Sequence, residues 1–419
     1  MGEPGDMTGL AAADEHELRR HATMRAIALR AGSSHMPAAR GRVRLVASAA
    51  TPAALADALD AYAAQQPSAA VQVHLAPLRP RLAVLCSGQS DVYAGMARVP
   101  CAHSAAFAGA LERCDAVVEL PGATLRALLD GSAAGASFED ARVAQPALFA
   151  LQAALVALWA DWGVTPDAVG GHSLGEYAAA HAAEALTLED GIALVAERGA
   201  LTQRLASGGR MVAVLTDAET AWAAIRADGG PVEIAALNAP EVVTLSGPHE
   251  HVARVAASLA AQDVPVTRLD TTHAFHSVCM NTLLEPLAQA AARVPFTPPR
   301  IPFASALEGR LLTDDEALDG SYWVRHLRQP VRFRDTVRAL AEAGCTAFLE
   351  LGPHATLTRL GARCLPAGDV QWVPSLRRGV DQAATLRAAA QQLWLAGFDV
   401  DLARVARDVR SRASSRATA

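Results

Sequence analysis

The sequence predicts an α/β protein with a short parallel sheet at its core and a ferredoxin-like subdomain inserted into it. Three observations carry this. "PDAVGGHSLGEYAAAHAAEAL" (166–186) reads as a short strand, a glycine-bracketed turn and an alanine-rich helix. Between 210 and 270, "RMVAVL", "DAETAWAAIRA", "VEIAAL", "VVTLSG", "HEHVARVAASLAAQ" and "VPVTRLD" follow one another as β-α-β-β-α-β, the ferredoxin-like order. After 270 the chain returns to mixed helices and strands, including "TAFLELGPH" (346–354). Two pieces of one core therefore flank an insert. The strand-turn-helix of the first piece is the elbow of a hydrolase-like core.

Taken in order, residues 1–41 are poor in aromatics and rich in Arg, His, Gly and Ser, and read as a flexible leader. Residues 42–79 read as a linker-like α/β segment, a strand then a helix that Thr51-Pro52 starts. "RLAVLCSG" (81–88) is an apolar strand ending in a glycine turn. The large subdomain is expected over 80–206 and 271–365, the small one over 207–270. A linker, helical over 380–397, is expected over 366–406, and 407–419 reads as a frayed tail.

Composition excludes several functions. The chain has 419 residues, 51% of them hydrophobic, enough for a large core and more than one subdomain. A net charge of -6 argues against a general nucleic-acid binder. All 37 basic residues are arginine, so lysine Schiff bases and Walker-type phosphate loops are excluded. Six cysteines without a Cys-x-x-Cys pair read as reduced thiols of a cytoplasmic protein, with no zinc site or other metal expected. Residues 1–30 are too polar for a signal peptide. "AQPALFALQAALVALWA" (144–160) is short for a membrane span and holds two glutamines and a proline, so a buried core helix is expected and no membrane partner.

Chemistry centres on Gly171-His172-Ser173-Leu174-Gly175. A serine hydroxyl attacks only when exposed, oriented and paired with a base. The glycines allow a sharp turn that presents Ser173, and the following helix aims its N-terminal N–H groups there. The base must come from elsewhere among 13 histidines. "THAFHS" (272–277) lies where the chain leaves the insert, and His273 and His276 both qualify on the residues alone.

Read together, the motifs resemble the acyltransferase domains of modular polyketide synthases, relatives of malonyl-CoA:acyl carrier protein transacylase. The similarity runs through "SGQSDVYAGMA" (87–97), "VAQPALFALQ" (143–152), "GHSLGEYAAA", "AERGALTQ" (196–203), "LNAPEVVTLSG" (237–247), "HAFHS", "YWVRHLRQPVRF" (322–333), "FLELGPH" and "WVPSLRRG" (372–379). It covers roughly 80–400, and 42–79 more loosely. It implies an acyl ester on Ser173, His276 as base and acid in a Ser-His dyad without a carboxylate, and an oxyanion held by Gln89 and the N–H of Leu174. It implies Arg198 as a planar fork for a substrate carboxylate. His273 and Phe275 would line the pocket for the α-carbon, with Phe275 filling space that a methyl branch needs. Gln145, Asn238 and His172 would be further substrate contacts.

The implied reaction moves malonyl from CoA to the phosphopantetheine thiol of an acyl carrier protein in polyketide biosynthesis. The alternatives are hydrolysis of stalled acyl groups, a substituted malonyl such as methylmalonyl, or a non-catalytic scaffold. No cofactor is implied: CoA arrives with the substrate and phosphopantetheine with the carrier. A ketosynthase would be a further partner. Arginines in 325–334 and 377–378 are candidates for docking an acidic carrier. One departure stands out. The family's Gly-Gln-Gly turn reads Gly88-Gln89-Ser90 here, followed by Asp91, so rate or substrate choice is expected to differ while Gln89 is retained.

Overall fold

A computed structural model describes residues 6–32, 41–78, 80–89, 92–133, 137–206, 208–271, 273–366, 368 and 370–409. The first unit holds β1 (Asp6–Ala12), α1 (Glu15–Arg30), β2 (Val43–Ala49), α2 (Pro52–Ala63) and β3 (Val71–Leu75). Its strands form an antiparallel sheet in the order β1-β2-β3. Thr51 caps α2 with Pro52 at its first position, as the Thr-Pro signal requires.

The expectation of a flexible leader fails for residues 6–30, which form β1 and α1. The helix is mostly polar, so composition concealed it. Its buried stripe is Leu18, Ala22 and Ala26, spaced four apart, and small side chains suffice because α1 packs closely on α2 and β1. The start signal was present: Asp14 accepts from Glu17 N at 2.8 Å while Glu17 Oε2 accepts from Ala13 N at 2.9 Å, a reciprocal cap.

The large unit begins with β4 (Leu82–Cys86), α3 (Arg98–His103), α4 (Ala105–Asp115), α5 (Leu125–Asp130), α6 (Ala141–Asp161), β5 (Ala168–Gly171), α7 (Gly175–Ala182) and α8 (Leu188–Leu205). The chain then forms β6 (Arg210–Val214), α9 (Ala218–Asp228), β7 (Glu233–Ala239), β8 (Val242–Gly247), α10 (His249–Ala260) and β9 (Val266–Arg268). It returns through a 3-10 turn (Val278–Leu283), α11 (Leu284–Ala291), β10 (Phe303–Ser305), β11 (Arg310–Leu311), α12 (Gly320–Arg328), α13 (Phe333–Glu342), β12 (Ala347–Leu351), α14 (Leu357–Gly361), β13 (Gln371–Pro374), α15 (Gln382–Leu395) and α16 (Leu402–Asp408).

The main sheet has the order β11-β10-β5-β4-β12-β13 and is parallel except for the β10-β11 hairpin. The insert forms its own antiparallel sheet, β7-β8-β6-β9, the ferredoxin-like strand order, with its own apolar core. Strand β13 belongs to the main sheet, so that sheet extends past 365 into the stretch read as a linker. Helices α15 and α16 pack back on β2 and β1, where Trp394 Nε1 donates to Leu45 O at 3.1 Å. Residue 407 lies within α16 rather than in a tail, and 410–419 fall outside the described residues. Helix α6 is long and apolar enough to cross a membrane, but 83% of its apolar window is buried in protein, as a core helix requires.

Candidate active site

The site lies beyond the carboxyl ends of β4 and β5, where open α/β sheets place their ligands. Ser173 occupies the turn from β5 into α7 with φ 51°, a left-handed conformation costly for a residue with a side chain. The flanking glycines are sterically required. A Cβ on Gly175 would lie 2.1 Å from Cys86 O, and one on Gly171 would lie 2.5 Å from Glu176 N. The turn therefore packs hard against the end of β4 and pushes Ser173 outward.

His276 enters from the segment that leaves the small subdomain, 103 residues further on, and also has a positive φ, 56°. Its Nε2 lies 2.6 Å from Ser173 Oγ, and its Nδ1 lies 2.8 Å from Gln329 O. A carbonyl only accepts, so Nδ1 carries the hydrogen and Nε2 is left as acceptor for the serine O–H. Burial, reinforced by the His326 and Arg198 charges, holds the His276 pKa well below the ordinary histidine value; the Gln329 carbonyl opposes this. The imidazole is therefore neutral at neutral pH and able to take a proton.

Arg198 on α8 is 1% exposed. Its Nη1 donates to Gln145 Oε1 at 2.6 Å, and its guanidinium sits 5.5 Å from the Phe275 ring and 5.9 Å from that of Tyr177. Its Nε has no hydrogen-bond partner, and among the described residues no Asp or Glu pairs with it. Burial lowers its pKa, yet a guanidinium stays protonated. His273 and Phe275 are both buried, with ring centroids 5.8 Å apart. Burial also lowers the His273 pKa, which Asp140 partly offsets. The structure thus groups Ser173, His276, Arg198, Gln145, His273 and Phe275.

His172 and Asn238 meet each other. His172 Nε2 lies 2.8 Å from Asn238 Oδ1, and Asn238 Nδ2 donates to Thr244 Oγ1 at 3.0 Å. This joins the serine turn to strand β7 of the small subdomain. Gln89 follows β4 with a buried Oε1 that has no partner, and Leu174 opens α7 beside the serine. Ser90 and Asp91 lie outside the described residues. Of the candidate docking arginines, Arg325, Arg328, Arg332 and Arg334 are tied to Glu308, Glu233 and Asp335. Arg377 and Arg378 are exposed, and Arg378 lies 5.1 Å over the Tyr93 ring.

Sequence reasoning missed three groups. Gln152 Nε2 donates to Ser87 O at 2.7 Å and Leu351 O at 3.2 Å, holding the loop that carries Gln89. Its signal was a glutamine two helical turns after Gln145 in an apolar run. Gln329 acts through its backbone carbonyl, which leaves no trace in sequence. Its segment is pinned to β7: Val331 N donates to Ala235 O and Leu237 N to Val331 O, each at 2.8 Å. Glu176, an acid inside "LGEYAAA", is 0% exposed behind the serine turn.

The fold and this geometry define an α/β protein with a serine and a histidine in hydrogen-bond contact at the end of the sheet. The family described as "Acyl transferase domain" matches residues 84–400. The chain is 37% identical over 334 residues to the spectinabilin polyketide synthase system protein NorB of Streptomyces orinoci, covering 77% of this chain and 15% of that protein. It is 42% identical over 258 residues to the mycoketide-CoA synthase of Mycobacterium tuberculosis, covering 62% of this chain and 6% of that one. The chain therefore spans only a small part of these relatives. Among solved structures, the acyltransferase domain from module 8 of the salinomycin polyketide synthase superposes with a TM-score of 0.83 at 28% identity, covering 96% of this chain and 98% of that one. The acyltransferase domain of SpnD, solved in complex with 2-(pent-4-yn-1-yl)malonyl, gives 0.81 at 30% identity, covering 96% and 98%. The chain belongs to the acyl transferase domain family and is an acyltransferase domain of the modular polyketide synthase type.

Proposed function

We propose that the chain transfers a malonyl group from CoA to the phosphopantetheine thiol of an acyl carrier protein through an ester on Ser173. The observation that carries the substrate class is Arg198: a buried guanidinium beside Ser173 and His276, with no carboxylate partner among the described residues. A free carboxylate on the acyl group would supply the missing anion in a bidentate pair. Phe275, against the same guanidinium, favours an unbranched α-carbon. The SpnD domain's substituted malonyl supports the class and leaves the substituent as the variable.

Ser173 Oγ attacks the thioester carbonyl while His276 Nε2 takes the hydroxyl proton. Gln329 O steadies the imidazolium through Nδ1–H. The oxyanion faces the N-terminus of α7, and Leu174 N–H and the Gln89 side chain hold it in this reading. Collapse breaks the C–S bond, and the CoA sulfur leaves with the proton from His276. In the second half His276 takes the carrier's thiol proton, the sulfur attacks the ester, and Ser173 leaves protonated. Arg377 and Arg378, without carboxylate partners among the described residues, are the better candidates for the acidic carrier.

The test is incubation with labelled malonyl-CoA, with and without holo-carrier. Label on the carrier supports the reading, label released as free malonate assigns hydrolysis, and absence of protein-bound label removes both. Intact-protein mass spectrometry should show one acyl ester, lost in Ser173→Ala.

A further inference from the structure

Among the described residues no carboxylate touches His276. The charged and titratable groups facing it are Ser173 and His172 on the serine turn, Arg198 on α8, and His326 on α12. None supplies a negative charge for the imidazolium that acyl transfer creates. The acid nearest in connectivity is Glu176, one residue into α7, and His326 stands between the two.

Glu176 is 0% exposed yet well supplied with donors. Tyr322 Oη donates to Oε2 at 2.8 Å, and Ala306 N donates to Oε1. The first turn of α7 adds its N-terminal partial charge. Ser305 Oγ lies 2.6 Å from Tyr322 Oη, so it donates onward once the phenol's one proton is committed to Glu176. Both carboxyl oxygens of Glu176 are thus met by donors from the neighbouring segments. His326 Nε2 sits 3.0 Å from Glu176 Oε2, both side chains enclosed. The His326 ring stands edge-on to His276, with centroids 6.1 Å apart, and lies among Tyr177, Tyr322 and Trp323. Neither ring nitrogen of His326 has an aligned hydrogen bond among the described residues.

We propose that Glu176 is a positioning residue for the base: its buried negative charge, held one imidazole away by His326, stabilises the His276 imidazolium during acyl transfer. It thereby replaces the acid that a backbone carbonyl displaces from the third position. The inference rests on the Ser173–His276 reading above. In an effective dielectric of about 20, unit charges about 8–12 Å apart shift one another's equilibria roughly ten- to thirtyfold.

The test is the pH dependence of Ser173 acylation in single-turnover experiments with malonyl-CoA, wild type against Glu176→Gln. Loss of the charge should slow acylation roughly ten- to thirtyfold and move the acid limb to lower pH, because His276 becomes less basic. A merely structural role gives the opposite sign: a loosened site hydrates His276 and moves the limb upward, toward the ordinary histidine value. An unchanged or upward limb overturns the inference. If Glu176→Gln does not fold, Tyr322→Phe carries the test. It releases the carboxylate oxygen that Tyr322 holds beside His326, so the charge acts less steadily on His276 and the acid limb again moves to lower pH, by less than in Glu176→Gln. An unchanged or upward limb overturns the inference. Wild-type protein that never acylates Ser173 defeats the underlying reading instead, so the two failures are distinguishable.

Discussion

Replacing Arg198 by methionine should separate function from stability. The guanidinium donates to Gln145 and packs against the Phe275 and Tyr177 rings. Methionine keeps much of the packing volume and leaves Gln145 Oε1 without its donor, a loss of about 1–3 kcal/mol. Against this, it removes a buried charge with no carboxylate partner among the described residues, whose desolvation costs several kcal/mol. The terms offset, so thermal unfolding should shift little or rise. Malonyl loading should suffer far more. Two charge-assisted hydrogen bonds are each worth about 1.5–3 kcal/mol, so kcat/KM for malonyl-CoA should fall about 10²- to 10⁴-fold. Acetyl-CoA, with no carboxylate to pair, should lose less than about tenfold. The assay is parallel loading kinetics on the two thioesters with calorimetry on the same preparations. Equal losses for both substrates, or a large drop in melting temperature, would make Arg198 a structural residue and refute the reasoning.

His276→Ala should slow acylation about 10²- to 10⁴-fold without abolishing malonyl-CoA binding, which isothermal titration can follow separately. His273→Tyr combined with Phe275→Ser should raise the methylmalonyl-to-malonyl ratio of kcat/KM, within the roughly 1–3 kcal/mol that one methyl group allows; a constant ratio would remove Phe275 from the pocket. Stability should vary with pH in two opposed ways. His172, His181, His273 and His276 all have lowered pKa values, with burial the largest cause. Their contribution is present above the unfolded value near 6.5 and is lost as pH falls toward the folded values. Glu350 works the other way. Burial raises its carboxyl to about 7 although Thr356, Leu357 and Thr358 donate their N–H groups to it, so its contribution is present at acid pH and lost as pH rises through about 7. Melting curves from pH 5 to 8 should fall on both sides in the wild type, and Glu350→Gln should flatten the alkaline side alone.

The sequence by itself determined what depends on neighbours within a few residues. The Thr51-Pro52 helix start, the glycines around Ser173 and the β-α-β-β-α-β rhythm of the insert are local constraints, and each element forms where its residues require it. The ordered motifs also identified His276 over His273 as the base through their resemblance to a family. Tertiary structure decided what depends on residues far apart in the chain. It gave residues 6–30 an ordered place, because their alanine stripe is apolar enough only when α2 lies against it. It brought His276 onto Ser173 and aimed it with the Gln329 carbonyl, a backbone atom that every residue has and only position makes special. It paired His172 with Asn238, tied most of the candidate docking arginines to carboxylates, and left Arg198 without one among the described residues. Whether a buried charge is compensated is a property of the packed interior. The same residue types give opposite answers according to which side chains the fold places within a few ångströms, and only the folded chain holds that information.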